Sequence, residues 1–312
     1  MQHLFITVAN WLDRDHDLLF VKSCNFKFLP TDPKQPKLIG KRIISVRHNS
    51  FDYFENYHGI KYTFIKSKKS YEIYKILLEQ LSLRRPVIIN LDAFWTSWNA
   101  YGYQKIHDSH YCLVIGVNQS EKFFYCLDPI YSMQVLKLSF RDFYNGSNRG
   151  CGIFEKQKYK SLEVKLIINE INRSLKENDT HSLDLLSKEI INFFDLDNEV
   201  LGFSRACDAP INNNLVKLAF SRHYLARGLL YLAHHTHIHN HSYMLHEISE
   251  YVKRSADLWQ IVHNVMCKSH YKFQTEKVVT FNTHKIAGKI KQISENEQAF
   301  KLKLDDLEKQ LF

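Results

Sequence analysis

The spacing of the apolar residues changes near residue 160 of this 312-residue chain. Before that point, short strand-like runs alternate with short helical patterns, which is typical of a mixed domain. After it, apolar residues recur at helical spacing through long segments nearly free of Gly and Pro, namely 162–177, 182–195, 214–234, 241–270 and 284–310. The sequence therefore predicts an α+β fold class, with a mixed domain over 1–155 and an all-α domain over 156–312.

Two strand-like runs in the first domain are joined by a short polar connection. Residues 110–117 and 122–127 are mostly apolar, and residues 118–121 between them fit a hairpin turn. The first residue of one strand lies beside the last residue of its antiparallel neighbour. We therefore expect His110 and Asp128 to meet at one edge of the sheet.

An imidazole beside a carboxylate supplies the base and the orienting group of a catalytic triad. His110 is therefore the candidate general base, and Asp128 is the candidate group that fixes its tautomer. The alternative interpretation is a half-buried histidine next to an unrelated loop carboxylate, since such pairs are common in folded proteins.

The loop before His110 is rich in aromatic residues. Asp92 and His107 flank this loop, and Trp98 lies in it together with Trp95, Tyr101 and Tyr103. Two interpretations are open. Asp92, Trp98 and His107 line a substrate cleft as substrate-binding residues, or the aromatic side chains only pack the loop onto the sheet.

The nucleophile of such a triad is not evident from the cysteines. The chain has six of them, far apart and without a C-x-x-C pair, which favours reduced and mostly buried thiols over a disulfide framework. Cys112 and Cys126 alternate with apolar residues in the predicted strands. Cys24 is the thiol nearest to the first predicted helix, over 4–12, and is either a nucleophile or a core residue.

The formal charge of +9 favours an anionic partner, such as nucleic acid, a membrane surface or an acidic protein. Lys and Arg are scattered in ones and twos, so no segment resembles a nucleic-acid-binding arm. No apolar run reaches the roughly 18–20 residues of a membrane span. The N-terminus also lacks the basic region and cleavage site of a signal peptide. We therefore expect a soluble, cytoplasmic protein without a nucleic-acid or membrane partner.

Two features of the second domain bear on metal binding and assembly. Alternating histidines over 234–241 can bind Zn²⁺ or Ni²⁺, but no carboxylate or cysteine stands nearby at a familiar ligand spacing. We therefore expect an exposed connection between helices and no metal site. The amphipathic helix over 284–310 is expected to be a core helix or the seam of a homodimer.

Several motifs taken in order resemble one known family. The stretch from Pro86 to Pro129 includes PVIINLDAFWTSWNAYGYQKIHDSHYCLVIGVN and then FFYCLDP; before it come residues 4–12 with Asp15, the NFKF of 25–28, and HGI at 58–60. Together they resemble the N-terminal domain of the butirosin biosynthesis protein H family. Members of that family look like papain-fold thiol enzymes related to bacteriocin-processing cysteine peptidases. The resemblance covers most of residues 3–150 and implies a papain-like cysteine-peptidase fold.

This resemblance implies an acyltransferase of natural-product biosynthesis. It would move an acyl group from the thioester of an acyl carrier protein to a small amine acceptor, and no cofactor is implied. A cysteine at the start of the first helix would attack the thioester, with His110 taking first the thiol proton and then the amine proton. Asp128 would hold the imidazole. The basic surface is compatible with an acidic carrier protein, and the helical domain would supply the acceptor pocket or the carrier dock.

The sequence departs from the family pattern at the nucleophile. By its distance from Trp11, that cysteine should fall at or just before Met1, where no cysteine stands. Either the nucleophile lies upstream of Met1 or this member has lost it. A non-catalytic binding or scaffold homologue of the same fold and a cysteine peptidase are the alternative functions.

Overall fold

The computed structural model describes residues 2–31, 38–45, 49–176, 180–203, 205–236, 238–276 and 281–311. Its helices and strands follow along the chain as α1 (Gln2–Trp11), β1 (Lys27–Phe28), α2 (Ile39–Arg42), β2 (Ile43–Ile44), α3 (Phe51–His58), β3 (Ile60–Ile65), α4 (Ser70–Ser82), β4 (Val87–Asp92), β5 (Ser109–Asn118), β6 (Phe123–Asp128), β7 (Ser132–Ser139), α5 (Phe140–Gly146), β8 (Cys151–Lys156), α6 (Val164–Lys176), α7 (Thr180–Phe193), α8 (Leu196–Val200), α9 (Pro210–His235), α10 (His239–Glu276) and α11 (Thr283–Leu311). Short 3₁₀ turns occur at Asp17–Phe20, Ala93–Trp95 and Ala206–Asp208.

The chain divides into two compact units. Met1–His16 and Phe51–Ser161 form the first unit, whereas Asp17–Ser50 and Leu162–Phe312 form the second. One boundary between the units falls between Ser161 and Leu162. Residues 17–50, however, were predicted to belong to the first domain and instead group with the helices of the second unit.

The first unit is built on one antiparallel sheet. Within the described residues, six strands pair in the order β3-β8-β4-β5-β6-β7. Leu77 of α4 and Phe143 of α5 pack on one face of this sheet. Phe5 of α1 packs against Tyr62 and Phe154. Side chains alternate between the two faces along a strand, and this alternation places Tyr62 and Phe154 on the other face of the sheet. In this strand order β5 lies between β4 and β6, and β6 lies between β5 and β7, so both are interior strands with a hydrogen-bonded neighbour on each side.

The second unit is helical and contains a buried ion pair. Trp259 of α10 lies at 0% exposure in a core built largely from helices α7, α9, α10 and α11. Arg222 of α9 is also fully buried, and its guanidinium contacts Glu297 of α11 through Nε–Oε1 at 2.8 Å and Nη2–Oε2 at 3.2 Å. The pair connects two helices whose charged side chains are 75 residues apart in the sequence.

Residues 17–50 join the helical unit because their apolar and charged side chains have partners there. Phe28 and Ile43 belong to the same core as Trp259. Arg42 donates to Glu189 of α7 from Nη1 and Nη2, each at 3.0 Å. The strand pair β1–β2 therefore extends the helical unit and does not join the six-stranded sheet.

The observed elements confirm the α+β class and most predicted segments. The sequence pattern predicts no strand over 151–156, yet β8 lies between β3 and β4 in the sheet. Its residues, CGIFEK, include only one β-branched side chain, so their local preference for a strand is weak. None of the described helices is long and apolar enough to cross a membrane.

We expect the Arg222→Met variant to be less stable than the wild type by about 3–5 kcal/mol, because it leaves Glu297 buried without its cation. Urea unfolding followed by circular dichroism at the helical band measures this loss. Arg205→Met is the matched control, since Arg205 pairs with Asp208 at a partly exposed position and such pairs contribute about 0–1 kcal/mol. An equal loss of unfolding free energy in the two variants would show that the buried Glu297 does not need the charge of Arg222.

Candidate active site

His110 and Asp128 meet at the end of the sheet where β5 begins and β6 ends. The hairpin register pairs Leu113 with Leu127, and alternation places His110 and Asp128 on the face that α4 and α5 cover. His110 Nε2 lies 2.5 Å from Asp128 Oδ2. Asp128 is fully buried and His110 is 9% exposed. The contact expected from the hairpin pattern is thus present, and both side chains are buried.

A tryptophan completes the surroundings of the carboxylate. Trp98 Nε1 donates a hydrogen bond to Asp128 Oδ2 at 2.7 Å, so the indole and the imidazole meet at the same oxygen. Asp128 Oδ1 is buried and has no hydrogen-bond partner in the part of the chain that the structure describes. Both observed hydrogen bonds of the carboxylate are therefore made by Oδ2. Through this atom the aromatic loop, which carries Trp98, is linked to the imidazole of His110.

The bond from Nε2 leaves Nδ1 as the imidazole nitrogen that can take up a proton. Among the described residues, Asp128 is the side chain that hydrogen-bonds His110. The ring of Tyr131 lies edge-on to the imidazole, with 5.5 Å between the ring centroids. Tyr131 is held there by a turn, because its backbone N–H donates to the carbonyl of Asp128 at 3.0 Å. His110 is thus oriented on both sides, by a carboxylate and by an aromatic edge.

Asp92 and His107 form a second, more exposed pair. Asp92 Oδ2 lies 2.7 Å from His107 Nδ1, and the His107 side chain is 67% exposed. The imidazole stacks on Phe94 with 4.4 Å between ring centroids. Asp92 also accepts a hydrogen bond from the backbone N–H of Phe94, which fixes the start of the aromatic loop. The contact between Asp92 and His107 therefore joins the two ends of this loop.

The pleat of the sheet separates this pair from His110. Leu91 pairs with His110 in the register of β4 and β5, and Asp92 pairs with Ser109. Consecutive residues of a strand point to opposite faces. Asp92 therefore leaves β4 on the face opposite His110, although both residues stand at the same end of the sheet.

A short polar chain that the sequence analysis missed lies on the face of Asp92. Ser109 Oγ donates to Asn90 Oδ1 at 2.9 Å, and Asn90 Nδ2 donates to the Tyr111 hydroxyl at 3.0 Å. Asn90 is buried within an otherwise apolar strand. A lone amide in such a run is a signal that a partner is needed, because a buried amide without one is costly.

The cysteines of the described chain do not supply a nucleophile to His110. None of them hydrogen-bonds this imidazole. Cys112 has its pKa raised by a hydrogen bond to Cys126 and by burial. Burial also raises the pKa of Cys151 to about 11 and that of Cys24, in the second unit, to about 12. These buried thiols are therefore in settings that oppose thiolate formation. Met1 lies outside the described residues.

The histidine-rich stretch connects two helices, as expected. α9 ends at His235 and α10 begins at His239, while His237 lies outside the described residues. His235 Nδ1 lies 2.8 Å from the carbonyl oxygen of Tyr231. Across the described ranges, no group of three or more His, Cys, Asp or Glu side chains is placed to hold a metal ion.

The five predicted site residues fall into two groups in the structure. His110, Asp128 and Trp98 form one hydrogen-bonded set, and Asp92 and His107 form a separate pair. No protein-family model matches this chain, and no curated protein shows significant sequence similarity to it.

We expect Trp98→Phe to lower the free energy of unfolding by about 1–3 kcal/mol, because the buried Asp128 carboxylate loses one of its two polar partners. Urea unfolding of the variant measures this change. Trp11→Phe is the matched control at a position that is 51% exposed. A Trp98→Phe variant as stable as this control would show that the indole N–H contributes nothing to holding Asp128.

Proposed function

We propose that the first unit is an acyltransferase in which His110 is the general base and Asp128 the orienting group. The observation that carries this proposal is the 2.5 Å contact between His110 Nε2 and the fully buried Asp128. A carboxylate in this position fixes the imidazole tautomer and stabilises the imidazolium when the opposite nitrogen takes a proton. General base catalysis of this kind contributes about 10²–10⁴-fold to a rate.

The proposed substrates are an acyl carrier protein thioester and a small primary amine. The amine nitrogen attacks the thioester carbonyl carbon while His110 Nδ1 takes one of its protons. The carbon–sulfur bond then breaks, and the imidazolium returns the proton to the departing thiolate. The products are an amide and the free thiol of the carrier, so the imidazole is neutral again at the end of the cycle.

Two features support this choice of substrates. The chain resembles the butirosin biosynthesis protein H family in the order of three features: the first helix, the predicted strand that begins with His110, and the strand end at Asp128-Pro129. This resemblance implies acyl transfer in natural-product biosynthesis. The formal charge of +9 suits an acidic carrier protein. Direct attack by the amine fits the site better than a thiol route, because no described cysteine hydrogen-bonds His110.

A non-catalytic protein that binds the acylated carrier is the second candidate. The same lack of a hydrogen bond between a thiol and His110 within the described residues favours it, and weighs against a cysteine peptidase. Binding and catalysis are separable, because only catalysis requires the imidazole to gain and lose a proton.

Incubation of the protein with a hexanoyl-loaded acyl carrier protein and a short aliphatic diamine tests this proposal. We expect mass spectrometry to detect the amide, and His110→Ala to slow its formation by about 10²–10⁴-fold. Asp128→Asn should also slow the reaction, since the amide cannot stabilise the imidazolium as a carboxylate does.

His223→Ala is the matched control for this experiment. His223 also faces an aspartate, with 3.8 Å between Nε2 and Asp257 Oδ1, but its side chain is 39% exposed and lies in the second unit. We expect this variant to react as the wild type does. Carrier binding without amide formation would favour the binding protein, and an acyl group trapped on a cysteine would replace direct attack by a thiol route.

A further inference from the structure

A cavity of about 470 Å³ opens in the second unit, between Thr31, residues 38–42 and the helices α7 and α8. Its size falls within the range of about 300–1,000 Å³ that is common for small-molecule sites. Leu38, Ile39 and Phe193 give it an apolar wall. Phe193 is 71% exposed although it is a large apolar side chain. An exposed aromatic residue at the mouth of a cavity is a common feature of ligand sites.

Arg42 lines this cavity, but its charge is already matched. Its guanidinium makes a two-pronged contact with Glu189, and Nε donates to the carbonyl of Leu29 at 2.9 Å. Glu189 in turn accepts a hydrogen bond from the Thr31 hydroxyl. The guanidinium also lies over the ring of Phe28 at 4.5 Å. An anionic ligand would therefore have to compete with a carboxylate that is held in place.

Glu199 faces the same cavity without a matching cation. It is buried at 3% exposure, and its carboxylate accepts hydrogen bonds from the backbone N–H groups of Ile39 and Gly40. No described Lys or Arg side chain forms an ion pair with it. Burial raises the pKa of Glu199. The hydrogen bonds from Gly40 and Ile39, and then the charges of Arg42 and Lys41, oppose this shift only in part. A buried carboxylate with neutral partners attracts a cation more strongly than an exposed one does.

Asp195 adds a second carboxylate to the lining. Its side chain caps α8 by accepting hydrogen bonds from the backbone N–H groups of Asp197 and Asn198. Among the described lining residues, three carboxylates thus face one guanidinium, and Glu189 alone is neutralised by it. The cavity therefore combines an apolar wall with surplus negative charge.

We propose that this cavity binds a small organic amine, with its ammonium group beside Glu199 and Asp195 and its apolar body against Leu38, Ile39 and Phe193. The ammonium group supplies a positive charge to two carboxylates that form no ion pair with a described Lys or Arg side chain. The Phe193 ring adds a face that attracts cations and loses apolar exposure on binding. This site lies within the second unit and its occupancy does not depend on acyl transfer at His110.

Calorimetric titration with 2-phenylethylamine, 2-phenylethanol and 3-phenylpropionate tests the proposal. These probes share an aromatic body and differ in the charge of the polar end. We expect the amine to bind about tenfold or more tightly than the alcohol, and the carboxylate to bind most weakly. Equal affinities for amine and alcohol, a preference for the carboxylate, or no binding of the amine would overturn the proposal.

Two charge variants locate the ammonium group. Glu199→Gln should bring the affinity for the amine down to that for the alcohol. Because Glu199 also holds the backbone at Ile39 and Gly40, this variant is checked for folding by circular dichroism. Asp195→Asn keeps a residue that caps a helix well and removes only the charge. It should weaken amine binding by about threefold or more and leave alcohol binding unchanged.

Phe193→Ala tests the apolar wall without disturbing a buried group. We expect it to weaken the binding of the amine and of the alcohol alike, because both use the aromatic surface. Tyr271→Ala is the matched control, since Tyr271 is an aromatic residue at 69% exposure that does not line the cavity. Wild-type affinity of Phe193→Ala for both probes, or equal weakening by the Tyr271 control, would place the amine elsewhere.

Discussion

The buried carboxylate of Asp128 determines the geometry at the end of the sheet where β5 begins and β6 ends. Removing a carboxylate from water is costly unless hydrogen bonds or a positive charge compensate for it. Here Trp98 and His110 both compensate, and both do so at Oδ2. The position of the aromatic loop and the orientation of the imidazole therefore depend on one oxygen atom. Since Oδ1 has no described partner, the loss of either contact leaves little to hold the charge.

The parts of this site that depend on local strand pairing could be predicted from the sequence. A short polar turn between two apolar runs indicates that β5 and β6 pair as a hairpin, which brings the start of β5 and the end of β6 to the same end of the sheet. The register shift between Val114 and Gly116, which places Asp128 on the face of His110, could not be predicted from this pattern. The role of Trp98 could not be predicted in the same way. Its loop has no repeating pattern, and only packing selects which aromatic residue reaches a carboxylate 30 positions later. The sequence identified Trp98 as a candidate but not its partner.

Long-range pairing explains why residues 17–50 group with the helical unit although their sequence pattern is that of the mixed domain. Arg42 and Glu189 are 147 residues apart, and neither lies in a motif that indicates the other. Hydrophobic periodicity reports the local element and the face it buries, but not which distant element covers that face. Residues 17–50 therefore appeared to continue the mixed domain. β8 is a similar case, because its six residues have weak strand preference and are fixed by β3 and β4 on either side.

The free nitrogen of His110 constrains the proposed reaction. Nε2 is committed to Asp128, so Nδ1 must both accept the amine proton and return it to the leaving sulfur. One nitrogen can do both because the attacking nitrogen and the departing sulfur are bonded to the same carbon in the tetrahedral intermediate. The imidazole then needs no rotation between the two transfers, and the carboxylate can hold it rigidly throughout. A site that first formed an acyl-enzyme would also need a thiol on this side of the ring, whereas direct attack needs only the two substrates to meet there.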